Sequence, residues 1–163
     1  MIRNLRAVGA ALLIAPVCAA FVPIAPVVFA PAAAEPAASA QSLRTVPLKI
    51  GGQGKVRTFT VEVATTFEQQ ETGLMYRKTM PADHGMIFPM SPPRPATFWM
   101  KNTYLPLDLI FIGPDHRIVR IAENAVPLSL DLIDCPEPAA AVLELNGGAV
   151  KAQGIAVGDQ VRW

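Results

Sequence analysis

The sequence predicts an α+β domain that is mainly β, either an antiparallel β-sandwich or a small barrel, with one or two short helices. Three observations support this fold class. Strand-like runs recur roughly every 8 to 12 residues and end in turns. One stretch carries a clear helix-start signal. The chain offers hairpins between its strands rather than the helical crossovers that a parallel α/β fold requires.

The first two strands are predicted at residues 46–50 and 56–63, on either side of the turn sequence GGQG. The second run alternates, so that Phe59, Val61 and Val63 share one face and polar residues share the other. This alternation predicts a hairpin with one buried face.

A short helix is predicted after this hairpin. Thr65 and Glu68 have the spacing of a capping box, in which each side chain satisfies the backbone amide of the other. The helix is expected to continue to about Tyr76, with Phe67 on the face toward the sheet. Gly73 weakens a helix interior, so it is expected to mark a close backbone approach or the last turn.

The second half of the chain is predicted to hold a three-strand meander. Its strands are residues 96–101, 107–112 and 117–121, and the proline-rich residues 89–95 are expected at a sheet edge. A long loop at 124–138, an apolar run at 141–145, a helical turn at 149–153, and a turn at 157–161 that leads into a last short strand complete the predicted elements.

Residues 1–40 have the layout of a signal peptide followed by an Ala/Pro-rich leader. Arg3 and Arg6 precede an uncharged apolar run over residues 7–30, and Ala38-Ser39-Ala40 before Gln41 matches an A-x-A cleavage site. We therefore expect an exported protein, periplasmic or extracellular, whose single domain covers residues 41–163.

An uncleaved membrane anchor is the alternative for this leader, because the apolar run is long enough to cross a bilayer. Pro16, Pro23 and Pro26 argue against it, since each removes a helical hydrogen bond where no water can replace it. We expect membrane contact only through the leader, and only if it is not cleaved.

The charge balance of the mature chain argues against nucleic acid as a partner. Removing Arg3 and Arg6 from 14 basic residues, and Glu35 from 13 acidic ones, leaves twelve of each. A neutral balance gives no electrostatic footprint for nucleic acid. Cys135 then stands alone, and its acidic neighbours disfavour the thiolate, so a small loop residue is favoured over a nucleophile.

No metal and no cofactor are predicted. His84 and His116 stand in separate turns without zinc-ligand spacing, and no phosphate-binding glycine loop or nucleophile elbow is present. Five methionines between Met75 and Met100 could hold Cu(I) as soft ligands. Core packing is the favoured role for them, because methionine fills irregular gaps.

The candidate functional site lies in residues 97–112, TFWMKNTYLPLDLIFI. Lys101 ends one predicted meander strand and Asp108 begins the next, so their side chains are expected to meet near the turn. Asp108 shares its strand face with Ile110, and a charge on an apolar face is informative. Asn102 and Thr103 supply amide and hydroxyl groups in the turn.

Two interpretations of this cluster compete. The structural one is a turn-stabilising ion pair with polar side chains that satisfy loop amides. The functional one is a site in which Lys101 supplies a cation, Asp108 orients it and Trp99 offers an aromatic wall for a sugar or planar ligand. Arg94 and Glu144 are candidate additional members.

The function expected from these residues is a binding module for a small polar or glycan-like ligand. A small envelope hydrolase that uses Lys101 with Asp108 or Glu144 is the second hypothesis. The third is a methionine-based copper-handling or structural protein.

Ordered motifs along residues 46–163 resemble the domain of unknown function 192 family. The motifs are GLMYR at 73–77, GMIF at 85–88, FWMKNT at 98–103, PLDLIFI at 106–112, VLEL at 142–145 and GD at 158–159. The resemblance implies a compact, mostly β domain, commonly exported in bacteria, with no established activity, substrate or cofactor.

Overall fold

The structure is a computed structural model that describes residues 43–163, and the predicted leader at 1–40 lies outside the described residues. Seven strands and two short helices follow one another along the described chain. In order they are β1 Thr45–Gly52, β2 Lys55–Val63, α1 Phe67–Thr72, β3 His84–Phe98, β4 Leu107–Ile112, β5 Ile118–Ala125, β6 Ile133–Asn146, α2 Ala149–Gln153 and β7 Gln160–Arg162.

The predicted first hairpin is confirmed. β1 and β2 are antiparallel, and Gln53 and Gly54 between them both have positive φ, as the tightest hairpin turns require. The predicted alternation holds, since Phe59 and Val61 are buried. Arg57 shares their face and is also buried, which the sequence analysis did not anticipate.

All seven strands belong to one sheet that curls into a half-barrel, in the order β5-β4-β6-β3-β2-β1-β7. The two edge strands approach each other at one end, where Arg117 bridges Gln160 and the Ile118 amide donates to the Asp159 carbonyl at 3.0 Å. The predicted mainly β small barrel is therefore confirmed. One neighbouring pair, β2 with β3, is parallel, and α1 lies in the connection between these strands.

The predicted meander is wrong. β4 and β5 form a hairpin, but β6 separates β3 from β4, so that Leu143 of β6 lies beside both Ile87 and Ile110. β6 can occupy this central position because residues 141–145 bury side chains on both faces of the sheet. It also absorbs part of the predicted loop at 124–138, including Pro136 and Pro138.

The sheet buries two apolar faces. Inside the half-barrel lies one cluster, with Phe59, Ile87, Ile110, Leu143 and Val161 among its members. On the outer face of the central strands a second cluster is covered by Leu74 and Met100, which come from the connections between strands. Residues 107–112 are buried throughout because their alternating side chains enter both clusters.

The helix α1 is shorter than predicted, and its cap is shifted by one residue. Thr66 is the N-cap and Gln69 completes the capping box, because the Gln69 side chain accepts the Thr66 amide at 3.0 Å. Phe67 is 79 % exposed rather than turned to the sheet. Gly73 ends the helix at φ 47°, and a Cβ there would lie 3.3 Å from the Phe88 ring. This glycine therefore marks both the end of the helix and a close approach, the two roles expected for it.

No helix within residues 43–163 is long and apolar enough to cross a membrane.

Candidate functional site

Asp108 is a sealed structural carboxylate. Its side chain is fully buried, and its two oxygens accept three backbone amides: Asn124 at 2.8 Å, Gly148 at 3.0 Å and Val150 at 2.8 Å. Gly148 is the N-cap of α2 and has no side chain of its own to satisfy the first helical amides. Asp108 therefore ties the start of α2 and the end of β5 to β4.

Lys101 does not pair with Asp108, so the expected ion pair is wrong. The Lys101 ammonium lies 5.0 Å from the centre of the Trp99 ring, a cation–π contact at the surface. The ion pairs formed within residues 43–163 do not include Lys101. The physical reason is the insertion of β6 between β3 and β4, which removes the hairpin that was to bring the two side chains together.

Asn102 and Thr103 hold the turn that follows β3. The Asn102 side-chain amide donates to the Tyr76 hydroxyl at 2.8 Å, and the Asn102 carbonyl accepts the Tyr76 amide at 2.8 Å. The Thr103 hydroxyl donates to the Lys101 carbonyl, and the Thr103 carbonyl accepts the Leu128 amide. This turn therefore joins the exit of α1 to the loop before β6.

A cavity of about 420 Å³ opens beside this turn, on the outer face of the sheet. We call it the Glu144 pocket. Its lining combines α1 and the residues after it, β3 from Phe88 onward, the turn and one residue of β6. The lining residues are Phe67, Gln70, Glu71, Thr72, Gly73, Leu74, Met75, Phe88, Met90, Arg94, Pro95, Ala96, Thr97, Phe98, Trp99, Thr103 and Glu144.

The pocket gathers four of the seven predicted site residues. Trp99, Thr103, Arg94 and Glu144 line it, whereas Lys101, Asn102 and Asp108 do not. The four differ in exposure: Arg94 and Trp99 lie at the open rim, and Thr103 and Glu144 are buried.

Glu144 is the chemically distinctive group of this pocket. It lies near the end of β6, beside Met86 of β3 and Leu109 of β4, and only 5 % of it is exposed. Burial raises the pKa of the Glu144 carboxyl to about 8, from an ordinary value near 4.5. Below that pH the group is a neutral acid that can both donate and accept a hydrogen bond.

The Glu144 carboxyl has no hydrogen-bond or ion-pair partner among residues 43–163. Its oxygens are not sealed, because no fully enclosed polar side-chain atom of the described chain lacks a partner. The carboxyl therefore faces the cavity rather than the core, and a molecule in the pocket can contact it.

The pocket lining mixes polar residues with an apolar and aromatic wall. Phe88 and Phe98 meet edge to face with ring centres 5.4 Å apart, and Met90 and Leu74 are buried beside them. The core role predicted for the methionines is confirmed for Met86, Met90 and Met100, which belong to the outer cluster. Met75 is half-buried and also lines the pocket.

Cys135 is buried and lies on β6, not in a loop. Burial raises the pKa of its thiol, and a hydrogen bond to Glu137 adds to the effect, so the thiolate is disfavoured.

Within residues 43–163, no three His, Cys, Asp or Glu side chains gather as a metal site.

One buried ion pair escaped the sequence analysis. Arg57 donates to the carbonyls of Gly52, Gln153 and Gly154 and lies 3.6 Å from Asp159. The available signal was the alternation of β2, which places Arg57 on the same face as Phe59. With its donors used by these groups, the guanidinium locks the β1–β2 hairpin to the end of α2.

Comparison with known proteins places the chain in an uncharacterised family. A family model described as "Uncharacterized ACR", the domain of unknown function 192, matches residues 48–163. None of the curated proteins matches the chain.

Two solved structures are similar over most of the domain. One, from Sinorhizobium meliloti 1021 and provisionally described as a transcription regulator, is 48 % identical with a TM-score of 0.73, over 74 % of this chain and 95 % of its own. The other, a protein of unknown function from Novosphingobium aromaticivorans DSM 12444, is 43 % identical with a TM-score of 0.74, over 81 % of this chain and 94 % of its own. The chain belongs to the domain of unknown function 192 family.

Proposed function

We propose that this protein is an exported binding module for a small polar ligand, glycan-like or otherwise, that is held in the Glu144 pocket. One observation carries the proposal: Glu144 is a buried carboxyl without a partner in the described chain, and it faces an open cavity. Leaving such a group unsatisfied is costly, whereas a ligand that hydrogen-bonds to it recovers that cost on binding.

The size and lining of the pocket suit a small molecule. Its volume of about 420 Å³ falls in the range of pockets that hold small ligands, and its lining offers both an aromatic wall and polar side chains. Phe88 and Phe98 would contact the apolar part of the ligand. Glu144 would fix its polar group, and the Thr103 hydroxyl, whose hydrogen is used within the turn, is left to accept.

Trp99 has a narrower role here than the sequence suggested. Lys101 already occupies one face of its indole ring, so a sugar stacked on that face would have to displace the ammonium. The side of Trp99 that lines the pocket remains available at the rim. A glycan-like ligand would therefore enter the pocket past Trp99 instead of lying flat on it.

A hydrolase is the second candidate, and one observation favours it. A pKa of about 8 lets Glu144 give and take a proton near neutral pH, as a general acid or base must. The partners expected from the sequence are not in the pocket, because Lys101 points to Trp99 and Asp108 is held by amides. Turnover of nitrophenyl esters or glycosides that Glu144→Gln abolishes, with ligand binding kept, would place this candidate first.

The binding proposal is tested by screening the purified protein against a glycan array and a library of small polar molecules, with binding detected by ligand-observed NMR. We expect at least one ligand that Thr97→Trp excludes, because Thr97 lies exposed at the pocket mouth and an indole there would fill it. Thr45→Trp is the matched control, since Thr45 is an exposed strand threonine away from the pocket. Ligands that bind both variants equally, or no ligand at all, would contradict the proposal.

A further inference from the structure

The chemistry of the Glu144 pocket also indicates which class of ligand it selects. We propose that the pocket takes an organic cation, a primary or secondary amine on a small hydrophobic body, whose ammonium group pairs with the Glu144 carboxylate. This inference rests on the proposed binding function and adds the class of ligand to it.

The first support is the missing counter-ion. Only 5 % of Glu144 is exposed, yet no Lys, Arg or His among residues 43–163 lies within ion-pair distance of it. Elsewhere in the same domain buried charges are matched: Arg57 has Asp159, and Asp108 has three amides. A ligand cation would supply what the chain itself provides at those other sites.

The second support is what a carboxyl offers beyond an uncharged donor. A neutral ligand with a carbonyl or hydroxyl would gain one neutral hydrogen bond from Glu144, which a glutamine amide could give equally well. An ammonium ligand gains a charge-assisted bond, roughly twice as strong. With a pKa of about 8, only about one Glu144 carboxyl in ten is ionised at pH 7, so the affinity for the amine is about tenfold lower there than for the fully ionised group.

The third support is the wall of the pocket. Phe88, Phe98 and Trp99 line it, and the faces of aromatic rings attract cations. The apolar body of the ligand would lie against Leu74 and Met90, which are buried in the same lining.

The other charged groups around the pocket are few. Glu71 on α1 adds a second carboxylate at the rim, and Arg94 on β3 adds a cation there. Both are exposed, so water and salt screen their effect on a group at the pocket floor. Lys101 lies against Trp99, and the β4 neighbour of Glu144, Leu109, is uncharged.

Binding of this class releases a proton. The protonated carboxyl and the ammonium ligand give a carboxylate–ammonium pair, and the carboxyl proton passes to the solvent. If only the ionised carboxyl binds, the affinity rises about tenfold from pH 6 to pH 7, about fivefold from pH 7 to pH 8, and little above that.

Three probes of matching shape test the ligand class: 2-phenylethylamine, 2-phenylethanol and 3-phenylpropanoate. Each is titrated into the purified protein at pH 6, 7 and 8, followed by amide NMR shifts around the pocket and by calorimetry in two buffers of different ionisation enthalpy. We expect the amine to bind tightest at pH 8, to strengthen with pH as above, and to release close to one proton at pH 6.

Two variants test whether the Glu144 carboxyl itself recognises the amine. Glu144→Gln should remove the preference for the amine and its pH dependence while the alcohol still binds. Glu123→Gln, which changes an exposed carboxylate on β5 outside the pocket lining, is the matched control and should leave both the preference for the amine and its pH dependence unchanged.

Tighter binding of the alcohol or the carboxylate, or an amine affinity that falls as pH rises, would overturn the amine inference and leave the binding function standing. Failure of all three probes, together with an empty result in the wider screen, would overturn both proposals.

Discussion

Replacing Glu144 by glutamine should stabilise the protein, and increasingly so as the pH rises. The pKa of Glu144 is raised in the folded chain from about 4.5 to about 8, so the folded state holds this proton more tightly than the unfolded state. The stability that goes with the proton is complete below about pH 4.5 and is lost as pH rises through 8. Glutamine has a similar shape and does not ionise.

The magnitude follows from the size of the shift. Each pKa unit corresponds to about 1.4 kcal/mol, so between pH 5 and pH 8 the wild type should lose about 3 to 4 kcal/mol relative to Glu144→Gln. The shifted groups common to both proteins, such as Cys135 and Asp83, cancel in this difference.

Urea unfolding of both proteins at pH 5, 6, 7 and 8 measures the effect. Glu123→Gln serves as the control, because Glu123 is an exposed carboxylate on β5, and its difference from the wild type should stay flat. A difference for Glu144→Gln that changes by less than about 0.5 kcal/mol over this range would refute the reasoning, because Glu144 would then titrate like an ordinary surface carboxylate.

Three further predictions concern the scaffold and the leader. Asp108→Ala should lower the unfolding free energy in urea by about 3 to 5 kcal/mol, because three amides lose their acceptor. Adding Lys101→Met should change that cost by less than about 0.5 kcal/mol. A larger interaction energy between the two substitutions would support an ion pair between Lys101 and Asp108. Gly52→Ala should lower the unfolding free energy by more than about 2 kcal/mol, since its Cβ would lie 1.7 Å from a carboxylate oxygen of Asp159. Gly54→Ala is the control: its positive φ strains an alanine, but the site is open, so it should cost about 1 kcal/mol. Equal costs for the two substitutions would contradict this geometry. Mass spectrometry of the protein expressed from its full sequence in a bacterium should find Gln41 at its N-terminus, as cleavage of a signal peptide requires. An intact leader would support the membrane anchor instead.

Local pattern predicted the elements of this fold better than their order. The β1–β2 hairpin, the helical turn at α2 and the final strand followed from turn residues and side-chain alternation within short windows. The place of β6 did not, because its partners β3 and β4 are distant in sequence and nothing local distinguishes a central strand from a loop-bounded apolar run. The assumption that successive strands are neighbours therefore put β3 beside β4.

The same error explains what the sequence could predict of the site. A carboxylate within the apolar run of β4 correctly marked Asp108 as a group that needs partners, but backbone amides satisfy it instead of Lys101. Glu144 carried an equally clear signal, a single charge among Val142, Leu143 and Leu145. Its partner status depends on which elements cover the outer face of the sheet, and sequence spacing does not encode that arrangement.

The most direct test of the pocket is the titration of Glu144 itself. With the glutamate side-chain carboxyls labelled with ¹³C, the Glu144 resonance, identified by its loss in Glu144→Gln, is followed by NMR from pH 4 to pH 10. We predict a midpoint near 8 that falls when 2-phenylethylamine is bound. A midpoint near 4.5 that no ligand moves would show a carboxyl already satisfied within the protein, and would contradict both the lone acid and the site built around it.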